Sequence, residues 1–404
     1  MLISKRSRYV HSPIRENEAF AEELVRSGKK IVKMSIGDPA VYFPTPSYII
    51  DAYIKALKSG KTSYSSSQGI RELREAVAER YHRKYGIEAD GGDVIVTQGV
   101  SEALLFINAA LVNENDAALL FRPYYPIYMP SLKLFGGKPL LDSYEEGRNW
   151  NVDTEKLEST IRKSRKKPKY MLVTNPNNPT GTVLERKVLK EIVDIANEHD
   201  ILLISDEIYD ELVYNGAKFT SIGQLAKGMP YMLLNGASKD FDATGFRLGF
   251  MLIPGHDRTS ELVKEKLMEY AQIRLSVNTP AQYAFAEGIS NRTEHERSLK
   301  QMVKGIEERA NFAAKLINES AFMRATRPNG AFYIFPRVNM KELRLKDDRE
   351  FVNKLLSEKL VQVTRGWGFG TPNHIRLVIL PPKDILELAI NRINDFCNRH
   401  KKEA

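Results

Sequence analysis

The sequence of 404 residues has a formal net charge of +9 at pH 7, and its 42% hydrophobic and 27% charged residues are ordinary for a globular protein. It contains no run of roughly 18 apolar residues that could cross a membrane. Its densest basic run, residues 162–169, lacks the interleaved aromatic residues of a nucleic-acid surface. A single cysteine, Cys397, is typical of a reducing compartment. We therefore expect a cytoplasmic protein with neither membrane nor nucleic-acid partners.

The pattern of apolar residues predicts an α/β fold. From residue 45 to 289, short apolar runs alternate with amphipathic helical patterns, as in strand and crossover-helix units of a parallel sheet. The predicted strands are almost continuously apolar, as strands covered on both faces should be, and they span residues 94–97, 117–121, 170–174, 201–205 and 231–234. Helical spacing of apolar residues over 70–81 and 189–196 fills two of the connections.

A second, smaller α+β domain is predicted after residue 289, because the pattern there changes to a long polar helix, a strand at 331–335, and further helix and strand. A chain of this length exceeds the size at which one hydrophobic core keeps growing. We therefore expect a large domain over residues 45–289 and a small domain over 290–404, which the N-terminal segment 1–44 joins.

Two short motifs imitate known binding sites but fail on their spacing. Residues 60–62 end like a phosphate-binding loop, yet Lys55 occupies the place of the glycine that such a loop requires five residues earlier. Residues 295–296 begin like a zinc-binding helix, yet Leu299 stands where the second histidine would be needed. We therefore expect no metal site.

The first positive signal is the segment around Lys239. A lysine amine can form a Schiff base with an aldehyde cofactor, and Ser238 and Arg247 lie close enough in the sequence to bind the phosphate of such a cofactor. Each of these residues is common by itself. The hypothesis therefore depends on the other motifs that accompany them.

Further polar residues follow the predicted strands, where ligands of open parallel sheets bind. Residues 174–181 form an asparagine-rich turn whose side-chain amides can hydrogen-bond a phenolic oxygen. Asp206 ends the next predicted strand, where its carboxylate can pair with a pyridinium nitrogen. Residues 99–101 begin a helix, whose backbone N–H groups can bind phosphate. Together these segments predict a site for a phosphorylated pyridine aldehyde.

These motifs resemble the class I aminotransferases of the aspartate aminotransferase superfamily, which are fold type I enzymes dependent on pyridoxal 5'-phosphate (PLP). The resemblance covers almost the whole chain, because it also includes residues 36–39, 43–46, 64, 69–74 and 374–377. It implies the PLP-dependent transferase fold type I, with a mostly parallel central sheet, helices on both faces and a smaller α+β domain. It also implies a transaminase that works as a homodimer on amino acids and 2-oxo acids.

The resemblance implies three catalytic residues. Lys239 would hold PLP as a Schiff base and then move the proton between the substrate Cα and the cofactor. Asp206 would pair with the pyridine nitrogen, and Tyr209 would hydrogen-bond the ring oxygen together with Asn178. Tyr125 would stack on the cofactor ring.

The resemblance also implies residues that bind the phosphate and the substrate. The phosphate would be bound by Val100, Ser101, Ser238 and Arg247, and by Tyr64 reaching in from the other subunit. Arg376 would bind the substrate α-carboxylate as a bidentate fork, which a lysine could not reproduce. Asn178 would also contact substrate, and Gly37 would lie in the loop that closes over it. One departure is Gly236, where many relatives carry a serine or threonine, so one phosphate hydrogen bond is expected to be missing.

Three segments, 274–282, 328–336 and 376–381, resemble microbial alanine aminotransferases that use glutamate and 2-oxoglutarate. We therefore expect ping-pong conversion of L-alanine and 2-oxoglutarate to pyruvate and L-glutamate. An aspartate aminotransferase or one of broad or aromatic specificity is the alternative, and a PLP lyase would share every cofactor residue. Arg15 and Arg274 are the candidates to contact the distal carboxylate of glutamate, although either could equally be a surface or interface arginine.

Overall fold

A computed structural model describes residues 2–255 and 257–401 of the chain. Its α-helices are α1 (Glu18–Arg26), α2 (Ser47–Lys58), α3 (Arg71–Tyr85), α4 (Gly99–Leu111), α5 (Tyr128–Leu134), α6 (Thr154–Lys163), α7 (Arg186–Glu198), α8 (Arg258–Arg274), α9 (Thr279–Ser290), α10 (Arg292–Glu319), α11 (Asp348–Lys359) and α12 (Lys383–Arg399). None of these described helices is long and apolar enough to cross a membrane.

The strands of the described residues fall into one large sheet and several small ones. They are β1 (Val32–Lys33), β2 (Val94–Thr97), β3 (Ala117–Arg122), β4 (Lys138–Glu145), β5 (Asn151–Val152), β6 (Pro168–Thr174), β7 (Leu202–Asp206), β8 (Tyr231–Gly236), β9 (Gly249–Leu252), β10 (Met323–Arg324), β11 (Tyr333–Ile334), β12 (Arg337–Val338), β13 (Val361–Gln362), β14 (Thr364–Arg365) and β15 (Ile375–Val378).

The large sheet has the strand order β2-β9-β8-β7-β6-β3-β4-β5. The central pairs from β8 to β4 are parallel, whereas β9 is antiparallel to both of its neighbours and β5 is antiparallel to β4. All five predicted strands of the large domain are present, and the prediction of a mostly parallel α/β sheet is confirmed. The carboxyl ends of β6, β7 and β8 therefore meet at one edge, where the predicted site residues follow them.

Three strands of the large sheet, β4, β5 and β9, were not predicted from the sequence. β9 directly follows Arg247 in a segment that was interpreted only as a phosphate-binding motif. β9 lies between β2 and β8 and is antiparallel to both. The predicted strand 94–97 therefore lies at the edge of the sheet and has no parallel partner. β4 and β5 extend the opposite edge, and β4 is only partly buried. The continuous apolar run that identified the central strands is therefore absent from β4.

The two faces of the large sheet are covered by separate hydrophobic cores. Along β2, Val94 and Val96 belong to one core and Ile95 belongs to the other, as the two-residue period of a strand requires. The first core receives side chains from α3, α7 and α9, and the second receives them from α4 and α8. This double cover explains why both sets of strand positions are apolar.

A third core joins the C-terminal helices to the small sheets. It contains side chains of α10, α11 and α12, among them the buried Cys397, and side chains of β11 and β15. The N-terminal strand β1 pairs in parallel with β13 at this core. Within the predicted strand 331–335, only Tyr333–Ile334 is strand, because Ala331 has a positive φ of 52°. The domain boundaries proposed from the sequence stay a prediction.

Candidate active site

A cavity of about 530 Å³ opens at the carboxyl edge of the large sheet. Side chains from the ends of β6, β7 and β8 line it, together with the start of α4, the N-terminal segment, Tyr333 of β11 and Arg376 of β15. The predicted site residues that line it are Gly37, Val100, Ser101, Tyr125, Asn178, Asp206, Tyr209, Ser238, Lys239, Arg247 and Arg376. The fold thus brings together residues that lie up to 339 positions apart, counting from Gly37 to Arg376.

Lys239 follows β8 and points its amine into the cavity. Its Nζ donates a hydrogen bond of 2.8 Å to the carbonyl oxygen of Gly37. Burial lowers the pKa of Lys239 to about 8. The positive charges of Arg376 and Arg247 also lower this pKa, whereas the carboxylate of Asp38 raises it. A substantial fraction of the amine is therefore neutral near pH 8, as a nucleophile toward an aldehyde must be.

Asp206 is the last residue of β7 and is buried beneath the cavity floor. The Tyr128 hydroxyl donates a hydrogen bond of 2.7 Å to its Oδ2, and the backbone N–H of Ile208 donates one of 3.3 Å to its Oδ1. Burial raises the pKa of Asp206 to about 6, against the opposing effect of the Tyr128 hydrogen bond. A buried carboxyl group held in this way is suited to a cationic partner such as a protonated ring nitrogen.

Tyr209 contributes a buried hydroxyl to the cavity wall. Its oxygen lies 3.0 Å from the hydroxyl of Tyr333, which belongs to β11. Tyr333 also packs so closely on Gly37 that a Cβ at that glycine would lie 2.2 Å from the Tyr333 hydroxyl. Gly37 is thus required where the N-terminal loop crosses the cavity, next to the amine of Lys239.

Arg376 on β15 is 1% exposed and faces the cavity without a carboxylate partner among the described residues. Its Nη1 donates a hydrogen bond of 3.1 Å to Oδ1 of Asn178, its Nη2 donates to the Ser35 carbonyl, and its Nε is unpaired. Burial lowers the pKa of Arg376. A buried guanidinium that lacks a counter-ion is a site for a carboxylate ligand.

The opposite end of the cavity is suited to a phosphate. Val100 and Ser101 lie in the first turn of α4, where backbone N–H groups are free to bind an anion. Arg247 comes within 2.7 Å of the place that a Cβ on Gly99 would occupy. Gly99 has a positive φ of 69°. The glycine therefore lets the helix start and the guanidinium of Arg247 lie close together beside Ser238.

The departure at Gly236 has a steric explanation. A Cβ at this position would lie 2.4 Å from the carbonyl oxygen of Leu248 and 2.6 Å from the Cα of Gly249. Here β8 and β9 pair with Gly236 opposite Gly249. A serine or threonine could not be accommodated without moving one of these strands.

Tyr125 also lines the cavity, where its ring lies edge-on to that of Tyr128 at a centroid distance of 5.7 Å. A face of the Tyr125 ring can stack on a planar ligand. Tyr128 donates its hydroxyl hydrogen bond to Asp206.

Two predicted candidates lie outside the cavity of their own chain. Tyr64 follows α2 and is 81% exposed. Arg274 ends α8, where its Nη2 donates hydrogen bonds of 3.2 and 2.9 Å to the carbonyl oxygens of Ser67 and Val96. Arg274 thus holds backbone together, and the interpretation of it as a substrate-binding residue is not supported. Arg15, by contrast, lines the cavity.

Three further side chains, Tyr128, Tyr333 and Asp38, line the cavity but were not predicted from the sequence. Tyr128 begins α5 and reaches Asp206 across 78 residues of sequence. Tyr333 lies in a segment that was noted only for its likeness to alanine aminotransferases. Asp38 directly follows Gly37 and accepts a hydrogen bond of 2.8 Å from the Thr244 hydroxyl. Only the position of Asp38 beside a predicted loop residue could have indicated it.

Each chemical group of PLP has a suitable partner among the residues of the cavity. The amine of Lys239 suits the aldehyde, the buried carboxyl of Asp206 suits the ring nitrogen, and the α4 N-terminus with Arg247 suits the phosphate. A family model described as aminotransferase class I and II matches residues 29–393. The chain belongs to this family. It is therefore a PLP-dependent transaminase, and the prediction from its motifs is confirmed.

Relatives of this aminotransferase include enzymes with two different names. It is 34% identical to an alanine aminotransferase of Mycobacterium tuberculosis over 96% of this chain and 89% of the relative. It is 33% identical to an aspartate aminotransferase of Bacillus subtilis over 95% of both chains. Among solved structures, an alanine aminotransferase from Pyrococcus furiosus matches with a TM-score of 0.93 and 39% identity, covering 98% of this chain and 100% of the other.

A second solved structure, the aspartate aminotransferase of Thermus thermophilus with maleate, matches with a TM-score of 0.90 and 29% identity over 98% of this chain and 99% of the other. These neighbours confirm that the fold is that of the fold type I aminotransferases. In residues 2–255 and 257–401, no group of three or more histidine, cysteine, aspartate or glutamate side chains could hold a metal ion. His295 instead lies 2.6 Å from Glu211 through its Nε2.

Proposed function

We propose that this aminotransferase exchanges the amino group between L-alanine and 2-oxoglutarate, giving pyruvate and L-glutamate by a ping-pong mechanism. The observation that carries the proposal is that two arginines, Arg376 and Arg15, line the cavity and neither pairs with a carboxylate of the described residues. Glutamate has two carboxylates for these two cations. Alanine needs only one, so a site of this kind can serve both partners of the exchange.

The proposed chemistry uses the residues of the cavity in separate roles. PLP, when bound, supplies a protonated ring that accepts the electron pair left when the substrate Cα loses its proton. Lys239 holds the cofactor and then carries this proton, for which an amine of lowered pKa is suited. Asp206 keeps the ring nitrogen protonated, Asn178 and Tyr209 bind the ring oxygen, and Tyr125 covers the ring.

The remaining roles concern binding. We assign the cofactor phosphate to the α4 N-terminus at Val100 and Ser101, together with Ser238 and Arg247. Arg376 binds the substrate α-carboxylate with Asn178 beside it, and the loop at Gly37 closes over the substrate. The carbonyl oxygen of Gly37 accepts a hydrogen bond from the Lys239 amine, which supports a loop that lies directly against the reacting atoms.

The substrate assignment is tested by comparing wild type with Arg15→Met on all four substrates. Loss of a charged hydrogen-bonding partner costs about 1.5–3 kcal/mol. We therefore expect KM for glutamate and 2-oxoglutarate to rise roughly 10- to 100-fold, while KM for alanine and pyruvate stays within about twofold because these lack a second carboxylate. The two monocarboxylate substrates are thus the internal control. A wild-type enzyme that converts aspartate but not alanine would transfer the assignment to aspartate.

Aspartate is the second candidate, because an arginine that binds the distal carboxylate of glutamate also suits that of aspartate. The likeness to the Bacillus subtilis enzyme supports it. Glutamate is a substrate in both candidate reactions, so the ratio of kcat/KM for aspartate to that for alanine decides between them. A PLP lyase is distinguished by its products, since only a transaminase returns the amino group to pyruvate or 2-oxoglutarate.

We propose in addition that the enzyme is a cytoplasmic homodimer in which Tyr64 reaches the phosphate of the partner subunit. The segment around Tyr64 lies beside the end of α8, because Arg274 donates a hydrogen bond to the carbonyl oxygen of Ser67. The proposal is supported by the exposed apolar side chains that flank Arg274, with Ile273 82% and Leu275 52% exposed. The buried, free Cys397 supports a reducing compartment. Light scattering tests the dimer: Ile273→Glu should yield monomers that lose PLP, whereas Leu388→Glu, another exposed apolar position, should leave the dimer intact.

A further inference from the structure

A buried ionic cluster lies behind the wall of the active site. We call it the Arg80 cluster, and it comprises Arg80, Lys84, Asp210, Glu211 and Asp240. Arg80 on α3 is 3% exposed, and its Nη2 lies 3.1 Å from Asp210 Oδ2, 2.9 Å from Glu211 Oε2 and 3.5 Å from Asp240 Oδ2. Lys84, one helical turn later, binds Glu211. None of these residues lines the cavity described above.

The cluster contains one more carboxyl group than it has permanent cations. Asp240 is the carboxyl without a hydrogen-bond donor among the described residues, and it is buried. Burial and then the negative charge of Asp210 raise the pKa of Asp240 well above its usual range. If Asp240 is protonated, the two remaining carboxylates equal in number the two cations, Arg80 and Lys84. The protonated carboxyl group of Asp240 would also be able to donate a hydrogen bond.

Other polar side chains complete the surroundings of the cluster. Asp210 accepts hydrogen bonds from Tyr85 and, at 2.9 Å, from Nδ2 of Asn235. Asn235 also contacts the hydroxyl of Tyr81, with 3.2 Å between Nδ2 and the oxygen. His295 of α10 faces Glu211 and stacks on Phe241 at a centroid distance of 4.1 Å. The cluster thus joins α3, the ends of β7 and β8, and the first turn of α10.

The position of the cluster in the chain links it to the active site. Asp210 directly follows Tyr209, and Asp240 directly follows Lys239. Arg80 therefore contacts the residue that follows Tyr209 and the residue that follows Lys239. Tyr209 and Lys239 themselves face the cavity from two different segments. Between those segments, the parallel pairing of β7 with β8 ends at Asp206 and Leu234. Beyond that point, the contacts of Arg80 connect the two segments through side chains.

We propose that Arg80 is a positioning residue for the cofactor site: by binding Asp210 and Asp240 together, it fixes Tyr209 relative to Lys239. Its Nη2 lies within 3.5 Å of both carboxyl groups, so one nitrogen at the end of a planar, permanently charged group connects the two segments. Within a site, displacements of about 1 Å change reaction rates strongly. The proposal rests on the roles proposed above for Lys239 and Tyr209.

The test compares Arg80→Met with Arg83→Met in the PLP-loaded protein. Arg83 lies on the same helix but is exposed, and among the described residues its one ion pair is with Glu79, at 3.7 Å. The readouts are the dissociation constant for PLP and the pH titration of the absorbance band of the bound cofactor, which reports the environment of the link to Lys239. We expect Arg80→Met to weaken PLP binding roughly tenfold and to move the titration midpoint by about half a pH unit or more. Arg83→Met should change neither.

Asp210→Asn provides the same test with almost no change in volume, should Arg80→Met fail to fold. It removes a charge that Arg80 binds, so it should move the midpoint as Arg80→Met does. In Asp240→Asn, the neutral amide replaces a carboxyl group that is expected to be protonated, and both groups can donate a hydrogen bond. This variant should therefore move the midpoint less than Asp210→Asn. A folded Arg80→Met or Asp210→Asn protein with the wild-type midpoint and PLP affinity would overturn the proposal.

The failure of this inference can be distinguished from failure of the proposed site. Borohydride reduction of the wild-type protein followed by mass spectrometry locates the lysine that carries the cofactor. Label on a lysine other than Lys239 would contradict the proposed site itself. Label on Lys239, combined with unchanged midpoints in the variants, would contradict only the role of Arg80.

Discussion

Two buried arginines of this protein have opposite surroundings. Arg80 is enclosed by three carboxyl groups, and although burial alone lowers its pKa, Glu211, Asp210 and Asp240 together raise the pKa of Arg80 above its usual value. Arg376 is equally buried but has only neutral hydrogen-bond partners, and burial lowers the pKa of Arg376. The same side chain therefore serves as structure in one place and as an incomplete site in the other.

The contrast between Arg376 and Arg80 shows how a binding site can be recognised in a fold of this size. Burying an unpaired charge costs free energy, so a protein retains such a group mainly where a ligand will complete it. Arg376 faces a cavity and has no carboxylate partner among the described residues, whereas three carboxyl groups surround Arg80. Burial alone does not distinguish Arg376 from Arg80, because both side chains are buried.

The largest expected difference between the two regions follows from removing one lysine from each. Lys239→Ala should lower kcat by about 10³-fold or more, because both the covalent hold on PLP and the proton carrier are lost. Lys84→Ala removes a lysine that binds Glu211 in the Arg80 cluster, and it should affect stability more than turnover. Steady-state kinetics and urea unfolding measure both. Comparable losses of kcat in the two variants would contradict the division between the regions.

The next prediction concerns stability in the absence of cofactor. Arg80→Met leaves buried carboxylates without their cation and should lower the free energy of unfolding by about 3–5 kcal/mol. Arg376→Met removes a cation that has no counter-ion, so the free energy should change by less than about 1 kcal/mol. Urea denaturation of the two apo-proteins gives both values. If Arg376→Met were the more destabilising of the two, the description of its charge as unpaired would be wrong.

A third prediction uses pH to examine the cavity itself. Since the pKa of Lys239 is lowered to about 8, the amine is protonated below that pH and cannot attack an aldehyde. The rate at which apo-enzyme captures PLP covalently should therefore fall about tenfold for each unit below pH 8 and level off above it. Stopped-flow absorbance from pH 6 to 10 measures this. A plateau reached only near pH 10.5 would indicate an ordinary, unburied lysine.

The smallest expected effect concerns the phosphate end of the cavity. Tyr64→Phe removes one hydroxyl, and one hydrogen bond contributes about 0.5–1.5 kcal/mol, so the dissociation constant for PLP should rise roughly two- to tenfold. Tyr9→Phe, at the N-terminus, is the matched control and should leave it unchanged. Equal affinities in the two variants would mean that the phosphate site is complete within one subunit.

Much of the fold followed from the sequence because its signals are local. The central strands were located by continuous apolar runs, which arise wherever both faces of a strand are covered. β9 and β4 gave no such signal, since one lies within a motif interpreted for chemistry and the other is only partly buried. Their positions in the sheet depend on pairing with distant strands, which no local pattern contains.

The chemical character of the site was determined by the sequence alone. The motif around Lys239, the asparagine-rich turn, Asp206 and the motif containing Arg376 predicted a PLP enzyme, because each is a short segment whose residue types are set by the cofactor. Only the tertiary structure decided which arginines face the cavity, since Arg15 and Arg274 are alike in sequence but differ in their contacts. Tyr128, Tyr333 and the Arg80 cluster likewise depend on long-range packing, which brings together side chains that no spacing along the chain relates.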